Sequence, residues 1–482
     1  MDKQQLKTVA IYTLGCKVNQ SESQSILDAF RERGWQPVSF DGQASVYIVN
    51  TCTVTQAADQ KSGKAIRGVK KRAPGAMLAV TGCFVENAES VLEGMPEIDM
   101  ILGNGQKGKL PELVEEAWQE KAWQEKDWQE KVWQEKARQE EVWQEKTAVF
   151  PDLDTDYATY GALKGLDRSR AFLKLQDGCQ QYCRYCIIPY VRKDWYSMPT
   201  DEALRRVGEL AEAGYREVVL LGIHLGAYGQ ECGEPDKLPR VLERLLDAYP
   251  SVRFRLGSLE PMEASEKLLT LIQDYPNVCK HLHLPLQSGA DAVLQAMGRP
   301  YRVRDYRGKV QFIREMMPDI ALTTDIMVGF PGEGEEEFHQ SMSFAEEMAF
   351  SRIHVFAYSR RVGTPAADMP GQIAGAVKNK RSAELIRLGQ TMGERYGDRW
   401  IGRKQWVLIE EGIGGGSWIG HSDNYLEVTF TPPKKLPAWE GVSLTTGDMR
   451  GSLLPLRIAG RSSLKKGAWH GEIDENTAGD KI

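Results

Sequence analysis

The sequence predicts an α/β protein with three domains, and three patterns along the chain support that prediction. Short apolar strands alternate with helices and cysteine-bearing turns over residues 5–112, which is typical of a doubly wound parallel sheet. Strands and helices alternate more regularly over residues 165–395, which predicts a partial β/α barrel. The helical period disappears from residue 398, where short strands and turns predict a small β-barrel up to residue 462.

The amino-terminal domain is predicted to be Rossmann-like. Its strands are predicted over Thr8–Thr13, Val46–Val49, Met77–Thr81 and Ile98–Leu102. The first three strands lead into Cys16, Cys52 and Cys83. One cysteine at a strand end would be unremarkable, because cysteine is often buried. Three cysteines at the ends of parallel strands are expected to converge at one edge of the sheet, which predicts a site with three thiolates.

The middle domain is predicted to contain six β/α units. Its candidate strands are Ala171–Gln176, Glu217–Leu221, Arg253–Leu256, His281–Pro285, Ala321–Met327 and Arg352–Tyr358. Helices are predicted at roughly 201–213, 237–248, 263–274, 303–316 and 335–348. In a barrel of this kind the functional site lies at the carboxyl ends of the strands.

The carboxy-terminal domain is predicted from short strands that turn-rich stretches separate. These strands are Gln405–Glu410, Tyr425–Phe430, Val442–Thr445 and Leu453–Ile458. Residues 463–482 are polar and are expected to form a loose tail.

Residues 117–146 consist of five-residue repeats such as AWQEK and VWQEK. A period of five turns about 140° beyond a full helical turn per repeat, so the tryptophans do not form one stripe. We expect an exposed, partly helical insertion within a linker over residues 113–150. A partner-binding role for this tract stays an open alternative.

The composition excludes several classes of protein. The 482 residues carry a net charge of −6, so any contact with RNA must be a local patch. No apolar run approaches the roughly 18 residues that a membrane span needs, and the amino terminus lacks the layout of a signal peptide. We therefore expect no membrane partner and a cytoplasmic location. In such a chain, eight cysteines predict metal ligation or catalysis more than a disulfide framework.

The densest cysteine motif follows the first predicted barrel strand. It reads GCQQYCRYC from Gly178 to Cys186, a C-x3-C-x2-C spacing. Three thiolates this close on one loop can bind three irons of a 4Fe–4S cluster and leave the fourth iron open to a small molecule. A structural zinc site usually takes four ligands, often as two C-x2-C pairs, and no second pair follows here. Three unligated buried cysteines are a poor alternative, because Gln180, Gln181 and Arg184 are polar.

This motif at the mouth of a predicted partial barrel resembles the radical S-adenosylmethionine (radical SAM) superfamily. The motifs TLGCKVNQSES, NTCTVT and TGC surround the amino-terminal cysteines. They resemble motifs of the methylthiotransferases, which are radical SAM enzymes with two 4Fe–4S clusters. Four barrel segments are similar to that family as well: SLEP (Ser258–Pro261), HLHLPLQSGAD (His281–Asp291), MGRPY (Met297–Tyr301) and TTDIMVGFPGE (Thr323–Glu333). The terminal barrel resembles a TRAM domain, an RNA-binding module. The repeat tract departs from the family, which normally has a short linker there.

The resemblance implies the cofactors and their ligands. It assigns one 4Fe–4S cluster to Cys16, Cys52 and Cys83, and a second, SAM-coordinating cluster to Cys179, Cys183 and Cys186. The second cluster would reduce SAM to release a 5′-deoxyadenosyl radical, and Tyr185 matches the aromatic position beside the adenine. The first cluster would carry or deliver sulfur, and a second SAM would supply the methyl group. Both open irons are expected to share one crevice.

Candidate SAM contacts lie at predicted strand ends. These residues are Ser258, Glu260 and Gln287, with Ser288 and Asp325 near them. Turn formation or a structural hydrogen bond is an open alternative for each one.

Within the family, TLGCKVNQ and GIHLGAYG (Gly222–Gly229) look most like the branch that acts on N-threonylcarbamoyladenosine in tRNA. The implied reaction is methylthiolation of C-2 of N-threonylcarbamoyladenosine next to the anticodon. The branch that acts on isopentenyladenosine generally has a different polar segment in place of GIHLG. The branch that modifies a ribosomal protein aspartate usually has proline where this chain has Lys17. Both branches stay as alternatives, as does a non-catalytic metal-cluster protein that binds RNA.

The implied partners are tRNA, a low-potential electron donor of the flavodoxin or ferredoxin type, and a source of sulfur; we expect a monomer. A segment from Gln60 to Val85 offers a local RNA contact, because it holds six cations and no acidic residue. The cations are Lys61, Lys64, Arg67, Lys70, Lys71 and Arg72. A solvated helix face is the alternative interpretation.

Overall fold

The computed structural model describes residues 7–120, 169–233, 237–433 and 448–473. These residues divide into two compact units. The first unit contains the described residues up to 120 together with Cys186–Asp194, and the second contains the others. Within the described ranges, no helix is both long enough and apolar enough to cross a membrane.

The first unit is built on a five-stranded parallel sheet. Its strands are β1 (Thr8–Thr13), β2 (Gln36–Pro37), β3 (Val46–Thr51), β4 (Met77–Gly82) and β5 (Met100–Leu102). They lie in the order β2-β1-β3-β4-β5. All residues of β3 and β4 are buried, as expected for central strands that are covered on both faces. The α/β prediction is therefore confirmed; β2 was not predicted because a two-residue edge strand has no apolar period.

Helices cover both faces of this sheet. They are α1 (Lys17–Glu32), α2 (Gln56–Arg72), α3 (Cys83–Asn87), α4 (Glu89–Glu93) and α5 (Leu110–Glu120), joined by α6 (Ile188–Val191) from the later segment. Phe30 of α1 and Val114 of α5 belong to one apolar cluster with β1, β3 and β4. Ile66 of α2 and Leu92 of α4 belong to the cluster on the opposite face. The sheet is thus doubly wound.

The first repeat of the WQEK tract belongs to the core of this unit. Helix α5 continues to Glu120, Ala117 is fully buried, and the ring of Trp118 lies edge-on to Trp35 with centroids 5.6 Å apart. The domain boundary predicted at 112 is therefore too early. The remaining repeats lie outside the described residues.

The second unit contains six parallel strands, which confirms the predicted partial barrel. They are β6 (Ala171–Asp177), β8 (Glu217–Gly222), β9 (Arg253–Leu256), β10 (His281–His283), β11 (Ala321–Val328) and β12 (Arg352–Ala357), with β7 (Tyr196–Ser197) antiparallel at the edge. Two sheets result, β7-β6-β8-β9 and β10-β11-β12. Two isolated bridges, one of which joins Ser258 to His283, connect them between β9 and β10.

The helices of the second unit follow the predicted alternation with two additions. They are α7 (Thr200–Glu212), α8 (Lys237–Ala248), α9 (Glu266–Asp274), α10 (Asp291–Met297), α11 (Val303–Met316), α12 (Glu335–Met348) and α13 (Gly375–Asp398). Helices α10 and α13 were not predicted. Helix α10 has only two turns, and much of the surface of α13 stays exposed, so neither shows a strong apolar period.

The carboxy-terminal residues form a closed five-stranded barrel. Its strands are β13 (Lys404–Gly414), β14 (Ser417–Ser422), β15 (Glu427–Phe430), β16 (Leu453–Arg461) and β17 (Trp469–Ile473), in the order β13-β14-β15-β17-β16. Trp469 is buried in the barrel core with Val407 and Val428. The barrel therefore extends beyond the predicted boundary at 462, and the prediction of a loose tail over 463–482 is wrong for Trp469–Ile473, which form β17. The strand predicted over Val442–Thr445 lies outside the described residues.

A buried ion network joins this barrel to β8 and β9. Glu217, with no exposed surface, accepts hydrogen bonds from Arg253 Nε at 2.6 Å and Arg255 Nε at 3.0 Å. The two arginines also donate to barrel carbonyls, Arg253 to Trp406 at 2.8 Å and Arg255 to Ser422 at 2.9 Å. The Glu217 carboxylate therefore compensates the buried charges of two arginines, and these arginines connect the β/α domain of this unit to its terminal barrel.

Candidate active site

Three cysteines of the first unit lie at the carboxyl ends of neighbouring strands. Cys16 precedes α1, Cys52 follows β3, and Cys83 begins α3 directly after β4. Each of the three thiols interacts electrostatically with the other two. The structure thus brings together Cys16, Cys52 and Cys83, which we call the amino-terminal triad.

Two glycines allow this close approach. Gly15 has φ +99°, and a Cβ atom there would lie 2.7 Å from the sulfur of Cys52. Gly82 has φ +104°, and its Cβ atom would lie 2.6 Å from the backbone nitrogen of Thr51. Only glycine combines this backbone conformation with so little space. Both residues directly precede a cysteine of the amino-terminal triad.

Cys52 and Cys183 are both held in environments that disfavour a bare thiolate. Burial raises the pKa of Cys52 to about 11. Burial also raises the pKa of Cys183, although Arg299 acts against it. A thiol of this kind loses its proton most readily when a metal takes the proton's place.

The second cysteine motif begins at the end of β6. Cys179 and Cys183 interact electrostatically in the second unit, whereas Cys186 opens the segment that belongs to the first unit. Arg299 Nη1 donates to the sulfur of Cys183 at 3.2 Å, and its Nη2 forms an ion pair with Glu260. A buried arginine, paired with the partly exposed Glu260, thus lies beside a cysteine of the motif.

The predicted SAM contacts have different surroundings. Tyr185 packs edge-on against Phe330 with ring centroids 6.5 Å apart. Glu260 forms an ion pair with Arg299, and burial raises the pKa of the Glu260 carboxyl. Ser258 is exposed just after β9.

Gln287 has the strongest local signal for a ligand among these candidates. It is 8% exposed and has φ +68°, which a non-glycine residue rarely adopts. Its side-chain oxygen is buried without a hydrogen-bond partner in the described residues. The neighbouring Ser288 hydroxyl, by contrast, lies 3.1 Å from that of Ser341, which is a structural role.

His224 follows β8 and lies beside the second motif. Its Nε2 atom is 2.6 Å from Glu263 Oε1, and its Nδ1 atom is 3.9 Å from the sulfur of Cys179. Burial opposes the charged imidazole, but hydrogen bonds to Cys179 and Glu263 raise the pKa of His224 to about 10. The remaining Glu263 oxygen has no partner among the described side chains.

Sequence reasoning missed three residues beside the cysteines: Arg192, His224 and Arg299. Arg192 Nε lies 3.4 Å from the sulfur of Cys83. His224 lies in GIHLGAYG and Arg299 in MGRPY, two segments that carried the family resemblance, whereas Arg192 follows Cys186 by six residues in a segment without a recognised motif. Only their contacts show that they face the thiols.

The described part of the chain holds no group of three or more His, Cys, Asp or Glu side chains placed to bind a single metal ion. A 4Fe–4S cluster has a different requirement, because each thiolate binds a different iron. The donor set at both places consists of cysteine sulfurs, the ligands that iron–sulfur clusters take.

Two family models match the chain. Residues 8–103 match the Uncharacterized protein family UPF0004, and residues 173–345 match the Radical SAM superfamily. The first match ends just after β5, and the second begins within β6 and ends within α12, so it includes all the candidate SAM contacts.

Curated relatives are similar over most of the chain. Threonylcarbamoyladenosine tRNA methylthiotransferase MtaB of Bacillus subtilis is 33% identical over 430 residues, which cover 88% of this chain and 90% of the relative. The MtaB of Thermotoga maritima is 32% identical, with 88% of this chain and 92% of the relative covered. A tRNA-2-methylthio-N(6)-dimethylallyladenosine synthase of Pelobacter propionicus is 32% identical, with 89% and 93% covered.

A solved structure supports the fold. The radical SAM methyltransferase TsrM of Kitasatospora setae matches with a TM-score of 0.50 at 13% identity, over 75% of this chain and 77% of TsrM. The two domain matches and the long alignments point to the same family. This chain belongs to the radical SAM methylthiotransferase family, whose enzymes use SAM and 4Fe–4S clusters.

Proposed function

We propose that this enzyme methylthiolates C-2 of N-threonylcarbamoyladenosine next to the anticodon of tRNA, with SAM as both radical source and methyl donor. The observation that carries the proposal is the 33% identity over 88% of the chain to a relative named for that activity. The reaction also needs a sulfur source and a low-potential electron donor of the flavodoxin or ferredoxin type. We place the enzyme in the cytoplasm.

The two groups of cysteines fit the two clusters that the reaction needs. Cys16, Cys52 and Cys83 would hold one cluster, and Cys179, Cys183 and Cys186 the SAM-coordinating one. SAM bound at its cluster supplies a carbon radical, which is needed because the C-2 hydrogen of adenine has no useful acidity.

Side chains of the second unit would orient SAM. Gln287 offers a buried amide oxygen without a partner, which suits a donor group of SAM. Arg299 holds Glu260 and so fixes the direction of that carboxylate. Tyr185, within the motif itself, provides an aromatic ring held by Phe330.

A basic face on α2 supports the contact with tRNA. Lys61, Lys64, Arg67 and Lys71 are exposed and lie three or four residues apart, so they share one side of the helix. Lys70 differs from them, because it is paired with Asp99 at 2.6 Å. Exposed cations in a row can bind phosphates in a salt-dependent way.

The function is tested by expressing the chain in a Bacillus subtilis strain that lacks its own MtaB. Mass spectrometry of tRNA nucleosides should then show N-threonylcarbamoyladenosine with one hydrogen replaced by a methylthio group. A Cys183→Ala variant at equal expression is the matched control and should leave the nucleoside unmodified. Unmodified threonylcarbamoyladenosine with the active chain would contradict the proposal.

The second candidate substrate is isopentenyladenosine, because the Pelobacter relative named for the dimethylallyl nucleoside is nearly as similar. The same measurement separates the two substrates. In a strain without that activity, appearance of the methylthio group on isopentenyladenosine alone would favour this candidate.

The glycine before Cys16 provides a separate test of the amino-terminal triad. A Gly15→Ala variant should lose the iron of that site, since its methyl group would press on Cys52. Iron after anaerobic reconstitution should fall from near eight to about four per chain, while SAM cleavage persists. Gly68→Ala is the control, because a Cβ atom there meets nothing within 4 Å. Full iron content in Gly15→Ala would show that the triad does not need this close approach.

A further inference from the structure

Arg192 is a buried cation that no step described so far uses. It follows α6 in the segment Cys186–Asp194, which belongs to the first unit. Only 4% of its surface is exposed. Burial of a guanidinium is costly unless it is paired and hydrogen-bonded, so its partners indicate its purpose.

A carboxylate on α1 holds Arg192 in a two-point contact. Arg192 Nη1 donates to Glu22 Oε1 at 2.8 Å, and Nη2 donates to Glu22 Oε2 at 3.1 Å. Lys107 Nζ donates to the same carboxylate at 2.5 Å. Glu22 and Lys107 are each 2% exposed. This geometry directs the third donor of the guanidinium, Nε, toward the sulfur of Cys83 at 3.4 Å.

The same group of side chains reaches the turns of the other two triad cysteines through Asn19. Arg192 Nη2 donates to Asn19 Oδ1 at 2.9 Å. The amide of Asn19 donates to the carbonyls of Leu14 and Thr51, both at 2.8 Å. Thr51 directly precedes Cys52, and Leu14 lies two residues before Cys16. One hydrogen-bonded network therefore contacts all three cysteine turns.

We infer that Arg192, aimed by Glu22 and Asn19, positions the amino-terminal triad and raises the reduction potential of the cluster there through an N–H···S bond to Cys83. The inference rests on the proposed function in one respect, that the triad holds a 4Fe–4S cluster. Hydrogen bonds to cluster sulfurs and nearby positive charge favour the reduced state, which carries more negative charge. Arg192 is a positioning residue that acts through Cys83.

The test isolates the amino-terminal cluster in the full-length chain by replacing Cys179, Cys183 and Cys186 with alanine. This background should bind about four irons after anaerobic reconstitution. A redox titration followed by electron paramagnetic resonance then gives the potential of the remaining cluster. A background without iron would contradict the assignment of the triad, and hence the proposed function, before Arg192 is examined.

Two variants in this background should move the potential in opposite directions. Arg192→Gln removes a positive charge and the Nε donor, so the potential should become more negative. Glu22→Gln keeps a side-chain oxygen that can accept from Arg192 but removes a negative charge beside it, so the potential should become more positive. Lys193→Gln is the matched control, because Lys193 is the exposed neighbour on the same segment, and it should leave the potential unchanged.

Damage to the fold alone would not produce shifts of opposite sign. If Arg192→Gln binds no iron, Arg192→Lys takes its place, since it keeps the charge and loses the aimed Nε donor; a more negative potential is expected. Unchanged potentials in the Arg192 and Glu22 variants with full iron content would overturn the inference while leaving the proposed function intact.

Discussion

Replacing Cys179, Cys183 and Cys186 with alanine should abolish SAM cleavage and halve the iron content, from near eight to about four per chain. Replacing Cys16, Cys52 and Cys83 should also halve the iron, but SAM cleavage should persist while the methylthio product is lost. The reason is that only the second group of cysteines follows a barrel strand in the C-x3-C-x2-C spacing of a SAM-binding cluster.

Anaerobic reconstitution, iron analysis and chromatography of 5′-deoxyadenosine under reduction measure these outcomes. Alanine at Cys232 is the control, because Cys232 is exposed and lies outside both groups. Binding of one or two zinc ions without SAM cleavage would favour a non-catalytic RNA-binding protein instead. Loss of SAM cleavage in both triple variants to the same extent would show that the two clusters do not have separate roles.

Replacing Glu217 with glutamine should lower the free energy of unfolding of the second unit by about 3–5 kcal/mol. The neutral side chain would leave Arg253 and Arg255 buried, at 2% and 1% exposure, without the carboxylate that compensates them. Arg170 is a third partner, with its Nη1 atom 3.3 Å from Glu217 Oε1. Denaturant unfolding followed by tryptophan fluorescence measures the change.

The exposed residue Glu212 supplies the matched control for this experiment. Glu212→Gln should change the free energy of unfolding by no more than about 0.5 kcal/mol, as is usual for surface substitutions. If the two variants were equally stable, the ion network would not contribute to holding the terminal barrel.

The same carboxylate predicts how stability depends on pH. Complete burial alone would raise the pKa of Glu217, but Arg253, Arg255 and Arg170 hold it well below its usual value of 4.5. The stabilisation is therefore fully present above pH 4.5 and is lost as the pH falls below that value toward the pKa of the folded state. The Glu217→Gln variant should lack this part of the acid sensitivity.

The cysteine sites show how much of the candidate site the local sequence pattern could predict. Cys52 and Cys83 could be placed at strand ends from the sequence, because a buried parallel strand is a short run of apolar residues and ends where a turn begins. Their convergence then follows from the parallel sheet. The roles of the cysteines as ligands stay a proposal, which the iron measurements test.

The domain boundaries predicted at residues 112 and 462 were wrong because tertiary packing extends each domain beyond its periodic sequence pattern. Trp118 reads as part of a low-complexity repeat, yet it packs on Trp35, so α5 extends the core beyond the predicted limit. Trp469 lies in a polar stretch that was expected to be loose, yet its ring completes the core of the terminal barrel. In both cases burial of a single aromatic side chain stabilises the fold, and one residue leaves no periodic pattern in the sequence.

The sequence by itself determined the fold class, because strand alternation is a local property. Its motifs also carried the family resemblance, which implied the chemical class of the enzyme. The tertiary structure decided which charges face the thiols. Arg192 and Glu22 are 170 residues apart, and Arg299 lies 116 residues from Cys183, so no spacing in the sequence relates them. Buried charges must be paired, and only the folded chain shows which partner each one has.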